Sequence, residues 1–418
     1  MLYECSTLGG GLSVITEHIE NVRSVSLGFW VRVGNRDERP DEYGISHFME
    51  HMLFKGTPTR SAFDISLAAD SLGADFNAFT SRECTCFYAR VIDEHLDEVF
   101  DVLADMLVNA SFDPEAMELE KGVVVEEIAR SVDTPEEHID DVFQDALMPT
   151  HPLGRPVLGS EERVRSLSGA DMRSYHDAHY TTGNVFVVAC GNVSHEHVAE
   201  LAREKLSGLA RGERLVREHP APEANEALSC VTRDTEQAHV VYGFPGVTQN
   251  DPDRYAVNLL SVILGGGLSS RLFTEVREKR GLVYSIYSAA QGYEDRGVFE
   301  VYAGTRPENV SEVLSIVRGE LSKAAQDGVT EEELERACEN TCNHFLMGLE
   351  STSAHMSRLG KLAVSGMPLL STEETLERYK SVSCGDVARV AANLFAKQPT
   401  VAVISPWKAR DIEGMLEK

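Results

Sequence analysis

The chain has 418 residues, of which 42% are hydrophobic, and its formal net charge is −28 at pH 7. This length predicts more than one domain, because a single hydrophobic core rarely grows past roughly 250–300 residues. So acidic a chain is not expected to bind nucleic acid, which rewards basic surfaces. It also contains no apolar run of about 18 residues, so a membrane span is not expected.

The N-terminal segment, MLYECSTLGGGLSVITEHIE, has no Lys or Arg before Arg23. It resembles neither a secretory signal, which needs a basic start, nor an Arg-rich transit peptide. The eight cysteines include no C-x-x-C pair and are too sparse for a disulfide framework. These features predict reduced thiols and a cytoplasmic location of bacterial type, with the mitochondrial matrix as the less favoured alternative. Cys84 and Cys86 are interpreted as small apolar filler on one face of a strand.

The hydrophobic pattern of the first half predicts a mixture of strands and helices. Asp113 and Pro114 are a good helix start, because Asp can cap free amides and Pro suits the first turn. In chain order, the pattern predicts a β-rich segment at 22–34, helices over 44–56 and 62–72, a strand pair at 75–91, and amphipathic helices at 95–106 and 114–128.

The second half repeats this order with a period near 215 residues, which is too long for a solenoid unit. For example, ENVSEVLSIVRGELSKAAQ mirrors EHLDEVFDVLADML, and ELERA at 333–337 echoes ELEKG at 118–122. The fold class predicted is α+β, with two similar domains related by internal duplication, each a mainly antiparallel sheet covered by helices. We expect an N-terminal domain at 1–210, a charged, proline-containing linker at 211–228 and a C-terminal domain at 229–418.

The stretch GISHFMEHMLFKG contains an H-x-x-E-H motif made of His47, Glu50 and His51. On a helix the two histidines lie about 40° apart on one face, and Glu50 falls in the same sector. Two imidazoles so placed can bind one metal ion, while the carboxylate holds a water; this order of residues is the inverzincin pattern. Because zinc needs a third protein ligand, structural histidines beside a surface glutamate remain the alternative.

Candidates for a third ligand lie in ELEKGVVVEEI. Glu120 and Glu127 are seven residues apart, so on a helix both carboxylates point to the same side, about 10 Å apart. Glu126 points roughly 100° away from them. The alternative for this segment is an amphipathic helix whose acids face solvent. The second half has no counterpart of His47, Glu50 and His51, so chemistry at the motif belongs to the first domain.

Several blocks together resemble the signature motifs of the pitrilysin family of zinc peptidases. These blocks are GISHFMEHMLFKGTPTRSA, FNAFTSRECTCFYARV, ELEKGVVVEEI, HPLGRPVLG and, in the second half, LGGGLSSRLFTEVREKRGLVYSIYS. The resemblance covers most of the chain, in the right order. The length of the chain is similar to that of the family's short two-domain subunits, such as the mitochondrial processing peptidase β-subunit and its bacterial relatives.

The resemblance implies a zinc endopeptidase with one Zn²⁺ per chain. By position, His47 and His51 match the zinc-binding histidines, and Glu50 matches the general base. Glu127 matches the third zinc ligand, whereas Glu120 matches a further glutamate that supports catalysis. Glu126 is expected to take neither role. Cys84 and Cys86 depart mildly from the pattern, because larger or polar residues are usual there.

The resemblance also assigns residues that bind the substrate. Asn77 and Ala78 match the edge strand along which the peptide lies. Arg277 and Tyr284 match a C-domain pair that acts on the substrate and the reacting carbonyl, although Tyr284 could instead be a core strand aromatic.

Glu137 and Asp141 match acids that hold a basic residue upstream of the cleaved bond, and a solvated helix face is the alternative for them. We therefore expect a peptide substrate, possibly basic, and a homodimer. A catalytic subunit that is active only with a partner chain is the main alternative. The other alternative is a non-catalytic scaffold or recognition subunit of the same fold.

Overall fold

The computed structural model describes residues 3–221 and 224–416. Pro222 and Glu223, which fall in the predicted linker, lie outside the described residues. Within the described ranges, no helix is both long and apolar enough to cross a membrane.

The strands are β1 (Tyr3–Thr7), β2 (Ser13–His18), β3 (Ser24–Val31), β4 (Asp75–Thr80), β5 (Thr85–Ile92), β6 (Val185–Gly191), β7 (Leu228–Thr232), β8 (Ala238–Pro245), β9 (Val283–Gly292), β10 (Gly297–Thr305) and β11 (Thr400–Ser405). The helices of the first half are α1 (Ile45–Leu53), α2 (Ala62–Leu72), α3 (Leu96–Asn109), α4 (Pro114–Asp133), α5 (Pro135–Leu147), α6 (Glu161–Ser166), α7 (Gly169–His179) and α8 (His195–Lys205). Those of the second half are α9 (Arg254–Gly265), α10 (Val310–Asp327), α11 (Glu331–Gly348), α12 (Thr352–Ser365), α13 (Thr372–Lys380), α14 (Cys384–Phe395) and α15 (Ala409–Leu416).

Two mixed sheets organise the described residues. The first has the strand order β1-β2-β6-β3-β5-β4, and the second has the order β7-β11-β8-β10-β9. All neighbours are antiparallel except β2 with β6 and β7 with β11. Apart from β1, the two sheets therefore have the same topology, strand for strand. The predicted α+β fold with two similar, mainly antiparallel domains is confirmed.

The chain divides into two compact units whose members are not continuous in sequence. The first unit contains the described parts of Met1–Ala129, Arg155–Glu218 and Met347–Ser371. The second contains the described parts of Arg130–Gly154, His219–Leu346 and Thr372–Lys418. Compared with the predicted continuous domains 1–210 and 229–418, each unit gains one helical segment from the other half of the sequence.

The exchange is reciprocal, since α5 packs against β7, β8 and β11 of the second sheet, while α12 packs against β2, β3 and β6 of the first. On α12, the buried side chains Met356 and Leu359 form a cluster with Trp30 of β3 and Val188 of β6. The amphipathic pattern of α5 and α12 predicts a buried face for each helix, but it does not state which sheet will cover that face. For this reason the sequence-based boundaries differ from the compact units.

The face of the first sheet that α12 covers contains the two cysteines predicted to be small apolar filler. Cys84 and Cys86 are both buried and belong to the cluster beneath α12. Both faces of β3 and β6 are buried, and the sequence of β6, VFVVACG, is accordingly almost entirely apolar.

A buried polar network fixes α12 on the first sheet. The Ser26 and Thr352 hydroxyls are 2.8 Å apart. His355 Nδ1 lies 2.9 Å from Glu17 Oε2, and its Nε2 lies 2.7 Å from the carbonyl oxygen of Leu349. When protonated, the His355 imidazole donates to both oxygens. The hydrogen bond with Glu17 accordingly raises the pKa of His355 despite burial.

We expect His355→Gln to lower the free energy of unfolding by roughly 1.5–3 kcal/mol in acid, because it removes a hydrogen-bonded buried charge. A raised histidine pKa contributes stability that is fully present below the unfolded value of about 6.5 and is lost as the pH rises through the folded value. The difference between wild type and variant should therefore shrink with rising pH. Urea unfolding at about pH 5.5 and about pH 9 measures this difference in the free energy of unfolding.

His197→Gln is the matched control, because His197 is an exposed histidine of the same unit. Its effect should be small at both pH values. A His355→Gln effect that is equal at the two pH values, or larger in alkali, would contradict a charged His355.

Candidate metal centre

The start of α1 is held by a buried carboxylate and two glycines. Glu38 accepts hydrogen bonds from the backbone amides of Gly44 (3.0 Å) and Ser46 (2.8 Å), which have no partner within the helix. Burial raises the pKa of Glu38 to about 8, although these two donors oppose that shift. Gly44 has φ = 88°, and a Cβ on Gly159 would lie 2.5 Å from the Gly44 Cα. The glycine that ends HPLGRPVLG thus allows close backbone contact at the helix that carries the motif.

The apolar face of α1 is buried in the core. Phe48, Met49, Met52 and Leu53 are buried in the main cluster of the first unit. Because the apolar side chains fix the helix, the histidines on its other side need little ordering to receive a ligand.

The structure brings His47, His51 and Glu127 together. Glu127 Oε2 lies 3.7 Å from His47 Nε2 and 3.5 Å from His51 Nε2, and one ligand atom from each residue lies within 4.8 Å of the others. Zinc bonds of about 2.0–2.2 Å place tetrahedral ligand atoms roughly 3.3–3.6 Å apart. Two imidazoles and one carboxylate at this spacing fit a zinc ion with small side-chain movements.

The protonation of His47 suits a metal ligand. Burial, with a smaller effect from the neighbouring His51, lowers the pKa of His47 to about 4, so its imidazole is neutral at physiological pH. Its ring packs edge-on against that of His51, with centroids 4.7 Å apart. The buried Nδ1 of His47 has no hydrogen-bond partner among residues 3–221 and 224–416.

Glu120 contacts the opposite nitrogen of His51. Its Oε1 lies 2.8 Å from His51 Nδ1, and its Oε2 accepts a 2.6 Å contact from Lys55 Nζ. Burial acts to raise the pKa of Glu120, but His51 and Lys55 outweigh it and lower the pKa overall. Glu126 of the same helix is exposed. The two glutamates seven residues apart therefore face the two ring nitrogens of His51, whereas Glu126 faces away.

Glu50 is half-buried beside this group, and it is held by a residue that the sequence did not reveal. Thr80 Oγ1 donates a 2.6 Å hydrogen bond to Glu50 Oε2. Burial raises the pKa of Glu50, and the charge of Glu127 adds to this, whereas the Thr80 hydrogen bond opposes it. Thr80 is the last residue of β4, and this position at the end of the predicted substrate strand is the feature of the sequence that could have identified it. Lys55, which contacts Glu120, could have been identified by its position four residues after His51.

Asn77 and Ala78 lie on β4, the last strand of the first sheet, whose neighbour in the described sheet is β5 alone. Asn77 is exposed, and its Oδ1 accepts a 2.8 Å hydrogen bond from the Ala78 amide. An edge strand of this kind can pair with an extended peptide.

Four other predicted site residues belong to the second unit. Arg277 lies in a π-helix at Phe273–Glu278, and its guanidinium stands 5.0 Å from the Phe273 ring centroid and 5.4 Å from that of Tyr284. Tyr284 is 76% exposed, so it is not a core aromatic. On α5, Glu137 is exposed and Asp141 is half-buried.

Comparison with known families gives two adjacent matches. Residues 13–161 match the family described as insulinase, peptidase family M16. Residues 166–341 match the domain described as the peptidase M16 inactive domain. The first match contains His47, Glu50 and His51 of α1 and also Glu127 of α4.

Similar full-length proteins and solved structures agree with these matches. The chain is 42% identical over 416 residues to an uncharacterized zinc protease of Streptomyces coelicolor, covering 96% of this chain and 89% of that protein. It is 37% identical to an uncharacterized zinc protease of Bacillus subtilis, covering 96% and 97%.

Among solved structures, the fold is similar to a peptidase M16 inactive domain from Pseudomonas fluorescens, with a TM-score of 0.91, 22% identity, and coverage of 98% of this chain and 99% of that one. A protease from Helicobacter pylori gives a TM-score of 0.88 with 24% identity and coverage of 97% and 99%. With relatives of this identity over nearly its whole length, the chain belongs to peptidase family M16, in its short two-domain form.

Proposed function

We propose that the chain is an active zinc-dependent endopeptidase that binds one Zn²⁺ at His47, His51 and Glu127. The observation that carries the proposal is the complete donor set beside the half-buried Glu50, with ligand atoms within 4.8 Å of one another. The names of the relatives, which are zinc proteases, agree with it. A non-catalytic scaffold would have no need of this donor set together with Glu50.

The chain's own residues supply the proton transfers. When bound, zinc would activate a water molecule and polarise the peptide carbonyl. The Glu50 carboxylate accepts the proton of the attacking water and delivers it to the leaving nitrogen. A raised pKa suits this role, since a base is most effective when its pKa lies nearer the working pH. Thr80 fixes the carboxylate, and Glu120 orients His51 from behind.

We further propose that the substrate is an extended peptide, possibly basic, paired with β4 at Asn77 and Ala78 through backbone hydrogen bonds. Arg277 and Tyr284 would assist at the developing oxyanion; the exposed hydroxyl-bearing ring of Tyr284 and the guanidinium stacked on it support this. Glu137 and Asp141 would favour Arg or Lys upstream of the cleaved bond. Their four-residue spacing on α5 supports a common helix face.

We propose that the chain acts as a homodimer in the cytoplasm. None of its eight cysteines forms a disulfide, as expected of a reducing compartment. The second candidate is a catalytic subunit that needs a different partner chain. An assay on the purified single chain separates these two possibilities.

The central test combines metal analysis with peptide turnover on one size-exclusion fraction of the chain expressed alone. We expect about one zinc per chain, a dimer, and cleavage of unstructured peptides. Glu50→Gln should keep its zinc and lose at least about 100-fold in turnover, because it lacks the proton acceptor but retains all three ligands.

A wild-type fraction that holds zinc but cleaves nothing would favour the partner-dependent subunit. Turnover near wild type in Glu50→Gln would mean that Glu50 is not the base.

The glutamates of α4 give a matched series. Glu127→Gln should lose most of its zinc and all activity. Glu120→Gln should keep zinc with affinity lowered about 10–100-fold, because it replaces the charged acceptor behind His51 with a neutral one. Glu126→Gln, an exposed change on the same helix, is the control and should behave as wild type. A full zinc complement in Glu127→Gln would show that the ligand assignment is wrong.

Thr80 is expected to position Glu50. Thr80→Val keeps the side-chain shape but removes a hydrogen bond to a charged group, so kcat should fall roughly 10-fold with zinc content and KM little changed. Thr80→Ser keeps the hydroxyl and should restore turnover. Equal losses in both variants would point to packing of β4 instead of the hydrogen bond.

A further inference from the structure

A cavity of about 910 Å³ lies in the second unit between α11, α13 and the start of α14. Three of its lining residues are cysteines: Cys338 and Cys342 on α11, and Cys384 at the first position of α14. Its apolar lining consists of Leu334, Leu346, Leu376 and Val382. None of the residues assigned to the zinc centre or to substrate binding lines this cavity.

Two of the thiols form a close pair. Cys338 and Cys342 are four residues apart on α11, so both side chains lie on one helix face. Their sulfur atoms are 4.0 Å apart. Two metal–sulfur bonds of roughly 2.3 Å each span at most about 4.6 Å. One ion can therefore contact both sulfurs without a change in the helix.

The internal duplication gives an independent reason to examine this pair. When ELEKG at 118–122 is aligned with ELERA at 333–337, Cys342 falls at the position of Glu127, and Cys338 falls at that of Val123. The helix that carries the third zinc ligand in the first half thus carries a soft sulfur ligand at the same position in the second. No histidine motif accompanies it, so the second half would take a different ion.

The number and type of ligands decide which ion fits. Among the described residues, the only group of three or more clustered His, Cys, Asp or Glu ligands is His47, His51 and Glu127, so the thiol pair offers two ligands. Structural zinc sites use four, whereas thiolates select soft ions such as Cu(I). A two-thiolate complex of a monovalent ion carries one negative charge, and the cavity wall carries one cation, Lys380, and three carboxylates, Glu331, Glu335 and Glu339.

We propose that Cys338 and Cys342 form a dithiol site for a soft monovalent cation, Cu(I), independent of the peptidase centre. On binding, two S–H bonds break, two S–Cu bonds form, and two protons pass to solvent. Neither copper nor sulfur changes oxidation state.

Burial favours the protonated thiol of Cys338. Burial raises the pKa of Cys338 to about 11, and the neighbouring Cys342 adds to this effect, whereas Lys380 opposes it.

The test is an anaerobic titration of the reduced, zinc-loaded full chain with Cu(I) held in a chelator buffer. Copper per chain is measured after gel filtration, and the rate of maleimide labelling of each cysteine is compared with and without copper by mass spectrometry. We expect one Cu(I) per chain, protection of Cys338 and Cys342, and loss of that copper in the Cys338→Ser/Cys342→Ser double variant. Cys5→Ser, which removes an exposed thiol outside the cavity, is the matched control and should keep it.

Peptide turnover and circular dichroism of the double variant check that it is folded, since neither cysteine lies at the peptidase centre. The protection pattern of the wild type tests the site even if the variant is unstable. Equal copper binding by wild type and a folded double variant would overturn the proposal. Copper-dependent protection of other cysteines in place of Cys338 and Cys342, or no copper retained by the wild type, would overturn it as well.

Discussion

The contact between His51 and α4 is the constraint on which the rest of the centre depends. One ring nitrogen faces Glu120 at 2.8 Å, and the other lies 3.5 Å from Glu127. A seven-residue spacing is nearly two helical turns, so a single straight helix can place one carboxylate on each side of the same imidazole. This arrangement directs Nε2 of His51 toward the ligand position, and it requires α1 and α4 to keep their register. Glu38, Gly44 and the buried face of α1 hold that register from the other end.

The duplicated fold uses the same architecture for different purposes. Strands β2, β6, β3, β5 and β4 correspond one for one to β7, β11, β8, β10 and β9. Only the first half carries the H-x-x-E-H motif. In the second half, the equivalent of α4 bears Cys338 and Cys342 instead. The exchange of α5 and α12 gives each unit a helix from the opposite half of the sequence, so each sheet is covered on the face that its own half leaves apolar.

Much of this could be predicted from the sequence, because helical and strand periodicity are local. The motif helix, the two glutamates on one side of α4 and the exposed position of Glu126 all follow from 3.6 residues per turn. The fold class follows from the repeated order of elements. The domain boundaries did not follow, because an amphipathic pattern states that Phe143 will be buried without stating which sheet will bury it. Thr80 and Lys55 were missed for a similar reason, since their contacts with Glu50 and Glu120 depend on tertiary packing.

The proposed peptidase activity depends on the binding of zinc by His47, His51 and Glu127 together. X-ray absorption at the zinc edge of the purified chain tests it most directly, because it reports the type and number of ligand atoms without requiring a substrate. We expect one zinc per chain with two imidazole nitrogens and light oxygen ligands at about 2.0–2.2 Å, and loss of most of the zinc signal in His51→Ala. Sulfur ligands in the wild-type spectrum, or an unchanged spectrum in His51→Ala, would contradict it.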